Sequence, residues 1–248
     1  MKLLSWNVFN ENTDATRIDT CLDYVTPDIV CLQEALPIHL QRLQARFPHM
    51  LLGRDYIQRG SLCHLAIASK LPLDSSKVSA HYPENKPHPS LFSQRAGWVE
   101  FLDSLSARVQ IQDGSWLQIV NLHTSAATGP STRLTEMEAV AKEHLEVNGR
   151  CVVAGDFNMF SRPWLAVFLA LPFGFRLSDV ATYEKQSVEA WWRDRGFNPA
   201  TRGITMPKWR LQLDQVFTRE IRALNAEIVT NTFGSDHFPL IVELDASE

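Results

Sequence analysis

The stretch VVAGDFNMF, residues 152–160, sets a carboxylate and a carboxamide, Asp156 and Asn158, two positions apart behind an apolar run. Other polar groups stand at comparable places. Asn7 ends LLSWN, Glu34 follows DIVCLQ, and His123 ends IVNLH. Asp236 and His237 lie in GSDHFPL, just before the last apolar run, and Asp214 stands inside LQLDQVF. Each has an ordinary explanation alone. Asn7, Asp156 and Asn158 fit turn chemistry, and Glu34 fits a solvated acid beside a helix start. His123 and His237 fit a satisfied core imidazole and a loop pair. Asp214 is harder to dismiss, because a buried carboxylate without a partner is costly.

Taken together, the residues have a chemical explanation. A hard divalent cation such as Mg²⁺ takes oxygen ligands, usually one or two carboxylates plus water and phosphate oxygens. Glu34 is the best single ligand, with Asn7 and Asp236 near it. Clustered histidines or cysteines are too few for zinc. Phosphate ester hydrolysis needs a positioned water, neutralised phosphoryl oxygens and a proton for the leaving oxygen. Carboxylate, carboxamide, imidazole and metal supply those parts.

Rigid elements must bring these groups together. Strand-like runs recur along the chain, from KLLSWNV to PLIVEL, several of them alternating or continuous in Val, Ile and Leu. Asp113-Gly114 reads as a hairpin turn between two of them. Residues 131–147 predict a helix through Leu134, Met137, Ala141 and Leu145, stopped at Asn148-Gly149. Residues 14–25 and 36–46 are weaker helix candidates. Gly155 is expected to break its strand and let the backbone turn. Strands with interspersed helices exclude a plain bundle or a plain β-sandwich, and two packed sheets with helices outside fit best.

The chain has 248 residues, 45% of them hydrophobic, which suits one large core, and a single domain over 1–248 is expected. Its net charge of -4 means that a polyanion partner would need a local basic patch. Cys21, Cys31, Cys63 and Cys151 form no CxxC pair. The start, MKLLSWNVFN, lacks the apolar region of a signal peptide, so a cytoplasmic protein is expected. The run Trp164–Phe175 is too short to span a bilayer. A buried helix is the expectation there, with a membrane-touching loop as the alternative.

The motifs SWNV, PDIVCLQE, LAIASKLPL, NLHT, VVAGDFN, LDQVF and GSDHFPL, in this order over residues 3–244, resemble those of the endonuclease/exonuclease/phosphatase superfamily. The resemblance implies an α+β fold, a four-layered α/β/β/α sandwich of two mostly antiparallel sheets flanked by helices. It implies Mg²⁺- or Mn²⁺-dependent phosphoester cleavage. Separately from the resemblance, a monomer is expected. Glu34 would bind the metal with Asn7 beside it, and Asp236 would support that region. Asp156 would orient or deprotonate the attacking water, and Asn158 would hold the scissile phosphate. His237 would contact phosphoryl oxygens, with Asp214 accepting its ring N–H. His123 would stabilise the phosphate or protonate the leaving group. Arg133 is expected on an exposed helix face.

The substrate is less defined. Residues 180–210 read as a basic, aromatic, loop-like insertion with Trp191, Trp192, Trp209, Arg193, Arg195 and Arg202. Such a loop suits DNA or RNA, arginines meeting phosphates and tryptophans stacking bases. A core anchor is its plainer explanation. A sphingomyelinase-like lipid phosphodiesterase and an inositol-phosphate phosphatase are alternatives, and a non-catalytic binding module on the same fold is one of another class.

Overall fold

The computed structural model describes residues 1–58, 60–80, 98–126, 128–159, 179 and 183–247. Trp164–Phe175 lies outside them. Two sheets carry the described fold. In chain order the strands are β1 (Lys2–Asn7), β2 (Ile29–Ala35), β3 (His49–Gln58), β4 (Ser61–Ser69), β5 (Asp74–Ala80), β6 (Val99–Glu100), β7 (Asp103–Gln110), β8 (Trp116–His123), β9 (Cys151–Asp156), β10 (Asn198–Pro199), β11 (Asp214–Arg219), β12 (Ala223–Ile228) and β13 (Leu240–Leu244). The helices are α1 (Thr16–Val25), α2 (Pro37–Gln44), α3 (Pro130–His144) and α4 (Glu184–Arg193). One sheet runs β12-β13-β1-β2-β4-β3-β6 and the other β10-β11-β9-β8-β7-β5. Among the described residues only β1–β2 and β8–β9 pair in parallel, and the other pairings are antiparallel.

Three apolar clusters make the expected four layers. Strand side chains alternate between faces, so Leu3, Ile29, Ile119, Val152 and Val216 meet between the sheets. Their neighbours Leu4, Val30 and Leu32 turn outward against Ile18, Leu22 and Leu43 of α1 and α2. Val120, Val153 and Phe217 turn outward against Met137, Val140 and Trp192 of α3 and α4. The hairpin turn stands where expected, Gly114 donating to the Ile111 carbonyl at 2.9 Å.

Four expectations are corrected. Residues 180–210 are not all loop, because α4 forms within them. Val188 and Trp192, four positions apart, share one buried face, and Trp192 stacks on Phe217 at 5.3 Å. Gly155 does not break β9, which continues to Asp156; Gly155 is there because β8 passes close by. Helix α3 stops at His144, earlier than expected. Arg133 is fully buried: it forms a two-point ion pair with Glu184 (2.6 and 2.9 Å) and donates to the Thr128 carbonyl.

Two buried groups on α3 oppose one another in acid. Burial holds His144 down to about 4 from 6.5, so its contribution to stability is lost as pH falls through that window. Burial lifts Glu136 from 4.5 to about 7, so its contribution is full below 4.5 and lost as pH rises towards 7. Glu136 accepts from the Ser125 amide at 2.9 Å and hydroxyl at 2.6 Å. Urea unfolding of Glu136→Gln should therefore show the variant gaining roughly 3 kcal/mol on wild type between pH 4.5 and 7. A difference that does not change over that range would show that Glu136 keeps an ordinary pKa.

Candidate active site

The same alternation that fills the core places the polar groups. Asn7 lies on the face of Leu3, His123 on that of Ile119, Asp156 on that of Val152, and Asp214 on that of Val216. All four side chains therefore leave the apolar core at one rim of the space between the sheets. Pairing sharpens this: Asp156 lies opposite His123 on one side and Asp214 on the other, making a cross-strand row. Asp214 does not interrupt its strand but begins it. Because β11 runs antiparallel to β9, its first residue meets the last residue of β9.

Glu34 reaches the site by a different device. The β2–β4 register shifts between Leu32 and Ala35, and Glu34 takes a left-handed backbone, φ 59°. Such a bulge re-aims a side chain at the end of a strand. A second shift, between Arg54 and Ile57 of β3, brackets Asp55. Asp55 accepts the Glu34 amide at 2.9 Å and His123 Nδ1 at 3.0 Å, so the two irregular turns hold each other.

Two imidazole–carboxylate pairs flank Asp156. Asp55 backs His123, and Asp214 Oδ2 lies 2.7 Å from His237 Nδ1. Asp156 Oδ2 lies 3.8 Å from His123 Nε2 and 3.9 Å from His237 Nδ1. Burial works against a charge on His237, but Asp214, Asp156 and Asp236 outweigh it and lift the ring to about 10. Burial raises Asp214 as well, yet imidazole is the stronger base, so the proton between them stays on the ring.

Burial also opposes charge on His123, and Asp55, Asp156 and Glu34 lift it well above the ordinary imidazole range. Asn158 Nδ2 lies 3.0 Å from His123 Nε2 and donates to the Thr124 carbonyl at 2.8 Å. That contact requires Nε2 to accept, which is the singly protonated ring. A second proton would need the carboxamide to turn over and offer Oδ1.

Asn7 donates from Nδ2 to Glu34 Oε1 at 2.9 Å and to Asp156 Oδ2 at 3.0 Å, while its Oδ1 accepts the Phe9 amide. It joins the two carboxylates. Glu34 Oε2 accepts Tyr56 Oη at 2.7 Å and the Asn10 amide at 3.2 Å. Burial lifts the Glu34 pKa, and Asp55 adds to it. The Asp236 carboxylate lies further out, 3.8 Å from His237 Nε2 and partly exposed. Ser235 and Trp6 tie this loop to β1, through Ser235 Oγ to the Asn7 carbonyl (2.7 Å) and Trp6 Nε1 to the His237 carbonyl (3.2 Å).

All eight residues expected from the sequence thus stand at this rim, Asp236 at its outer edge. Asp55 and Tyr56 were not expected. Their signal was slight, an acid and a phenol at the end of the run HMLLGRDY, where a register shift breaks the strand period.

The donor set suits a hard divalent cation. Glu34, Asp156 and Asp214 offer carboxylate oxygens without a thiolate, and Asp156, Asp214 and His237 hold ligand atoms within 4.8 Å of one another. Asp214 Oδ1 is buried with no hydrogen-bond partner among the described residues.

The profile of the Endonuclease/Exonuclease/phosphatase family matches residues 4–237. A UPF0294 protein of Vibrio campbellii is 23% identical over 253 residues, covering 100% of this chain and 78% of that protein. One from Vibrio cholerae is 29% identical over 153 residues, 61% of this chain but only 48% of its own length. A Beutenbergia cavernae endonuclease/exonuclease/phosphatase superposes with TM-score 0.76 at 16% identity, covering 99% of this chain and 71% of that one. Structures of D. rerio TDP2 with a single-strand DNA product (TM-score 0.66, 16% identity, 99% and 98% covered) and of the human Nocturnin catalytic domain with a sulfate anion (0.69, 15%, 99% and 94%) share the fold. Members of the family are mostly hydrolases of phosphoester bonds and generally depend on a divalent metal. By the extent of that profile match, which takes in every residue of the rim, this chain belongs to the Endonuclease/Exonuclease/phosphatase family.

Proposed function

We propose that the chain hydrolyses phosphodiesters with a divalent cation, Mg²⁺ or Mn²⁺, and that its substrate is nucleic acid. The observation that carries the reaction is the pair of imidazoles, each backed on Nδ1 by a buried carboxylate, on either side of Asp156. Glu34 would hold the cation with Asn7 beside it, and Asp236 would support it from the rim. The cation would neutralise charge on the phosphoryl oxygens.

The chain's own residues do the rest. Asp156 orients the attacking water and accepts its proton. Asn158, fixed by the Thr124 carbonyl and by its amide to Asp156 Oδ1 (2.9 Å), presents its carboxamide to the scissile phosphate. Asp214 fixes the proton on His237 Nδ1, so that Nε2–H meets a phosphoryl oxygen. Asp55 holds a proton on His123 Nδ1, and once Nε2 is protonated as well it stabilises the phosphate or delivers that proton to the leaving oxygen. Asn7, His123, Asp156, Asp214 and His237 are buried, which strengthens their contacts.

Nucleic acid as substrate is supported by the cations and Trp209 between Thr201 and Asp214, and D. rerio TDP2, which is similar in fold, was solved with a single-strand DNA product. The free, buried thiols of Cys21, Cys31, Cys63 and Cys151 support a cytoplasmic setting. Among the described residues no helix is long and apolar enough to cross a membrane.

The test is turnover of bis-p-nitrophenyl phosphate with Mg²⁺ or Mn²⁺, with and without chelator, beside a panel of DNA, RNA, sphingomyelin and inositol phosphates. Metal-dependent turnover that chelator abolishes is expected. No turnover on any ester would favour a binding module.

A further inference from the structure

The structure splits the basic, aromatic run into two parts with different surroundings. Trp192 is in the core, and Arg193 pairs with Glu189 at 2.8 Å. Arg195 lies over the Trp191 ring at 3.6 Å, in a cavity of about 390 Å³ that also takes in Arg219. Arg219 ends β11 and pairs with Cys151 at the start of β9. That is the far end of the strands from Asp214 and Asp156, roughly 17 Å away at the usual rise per residue. These cations serve the fold at the wrong end of the sheet.

The second part is anchored at the site itself. Thr205 accepts the Leu213 and Asp214 amides on its hydroxyl, at 2.9 and 3.1 Å, and the Phe238 amide on its carbonyl, at 2.7 Å. It therefore stands between the neighbours of both members of the Asp214–His237 pair. From there the chain leaves through a Met206–Leu211 bridge and turns at Pro207, whose carbonyl accepts the Arg210 amide at 3.2 Å. The tip carries Lys208, Trp209 and Arg210, with Arg202 on the stem. All three cations are exposed, and none pairs with a carboxylate among the described residues. Trp209 is 54% exposed, and Lys208 is near enough for its charge to act on Asp236.

We propose, resting on the phosphodiesterase reading, that the Pro207–Arg210 tip is a platform for single-stranded nucleic acid: Trp209 stacks a base and Lys208 and Arg210 hold the phosphates beside it. The order cation, ring, cation matches the phosphate–base–phosphate order of an unpaired strand. It also supplies, on a chain of net charge -4, the local positive patch that a polyanion needs. A duplex would hide the base faces. An anionic membrane is the competing partner for a basic loop with a Trp, but a membrane tip buries contiguous apolar side chains, and here charges bracket the one ring.

The experiment measures anisotropy of a short fluorescein-labelled oligothymidylate with the full chain in chelator, which blocks cleavage. Trp209→Ala should weaken binding about tenfold or more. The double variant Lys208→Ala/Arg210→Ala should flatten the slope of log affinity against log salt by about 1.4. Arg193→Ala/Arg195→Ala should leave affinity and slope unchanged. Because these side chains are exposed, the unfolding midpoints should stay at the wild-type value. Wild-type affinity in Trp209→Ala overturns the platform. So does binding to phosphatidylserine vesicles, but not to oligothymidylate, that the tip variants abolish. Failure of the unaltered chain to turn over bis-p-nitrophenyl phosphate would count against the phosphodiesterase reading alone.

Discussion

Asp214→Asn should lower kcat on a phosphodiester by about 10²–10⁴-fold while KM hardly moves. In the native chain Asp214 Oδ2 lies 2.7 Å from His237 Nδ1. Asparagine keeps the size and one hydrogen bond. Its carbonyl end can still accept the Nδ1 proton, and a neutral ring held that way leaves Nε2 without a proton for the phosphoryl oxygen. The largest of the charges that lift His237 to about 10 would also go, which lowers the ring's affinity for its second proton. Burial of Asp214 cuts both ways, since a lost buried carboxylate also removes a desolvation cost. The thermal midpoint should accordingly hold or rise as activity falls. Asp55→Asn should act on His123 in the same sense, with the added loss of the contact that holds the Glu34 amide. If Asp214→Asn kept more than a tenth of wild-type kcat, the pair would be structural.

The largest effect on stability is expected at Gly155. A Cβ built there would stand 1.9 Å from the Leu122 carbonyl oxygen and 2.9 Å from its carbon. These are backbone atoms of the parallel neighbour, which cannot move without parting β8 from β9. The backbone there has φ 149°, which adds strain for any L side chain. Gly155→Ala should cost about 4 kcal/mol or more in urea unfolding, or leave no soluble protein. Gly114→Ala provides the comparison: its φ is 83° but nothing lies within 4 Å, so only the backbone term, about 1 kcal/mol, applies. Equal midpoints for the two variants would refute the close-approach explanation.

Much of this was legible in the sequence, and the reason is the period of a strand. Leu3 to Asn7, Ile119 to His123 and Val152 to Asp156 each advance by an even number, so the apolar residue and the polar one share a face. A polar residue in phase with a core residue at the end of a run is a signal that can be counted. Other features obey rules that a single run does not carry. Glu34 and Asp55 are aimed by bulges, where the period fails, so a count in twos loses Asp55 entirely. Arg133 looked exposed because its partners, Glu184 and the Thr128 carbonyl, belong to other segments. Helix α4 was hidden by the cations on its outer face, though Val188 and Trp192 mark the inner one. Gly155 reads as a turn in the sequence because its constraint comes from the neighbouring strand.

The row His123–Asp156–Asp214 exists only because three strands are paired in one alignment. Displacing β11 by a single residue against β9 would turn Asp214 to the helix side and bring Gln215 to the rim, while leaving the amount of sheet and the apolar content almost as they were. Refolded material could then match the native circular dichroism spectrum and be inert. Turnover, rather than secondary-structure content, is the assay that distinguishes correctly threaded chains from slipped ones.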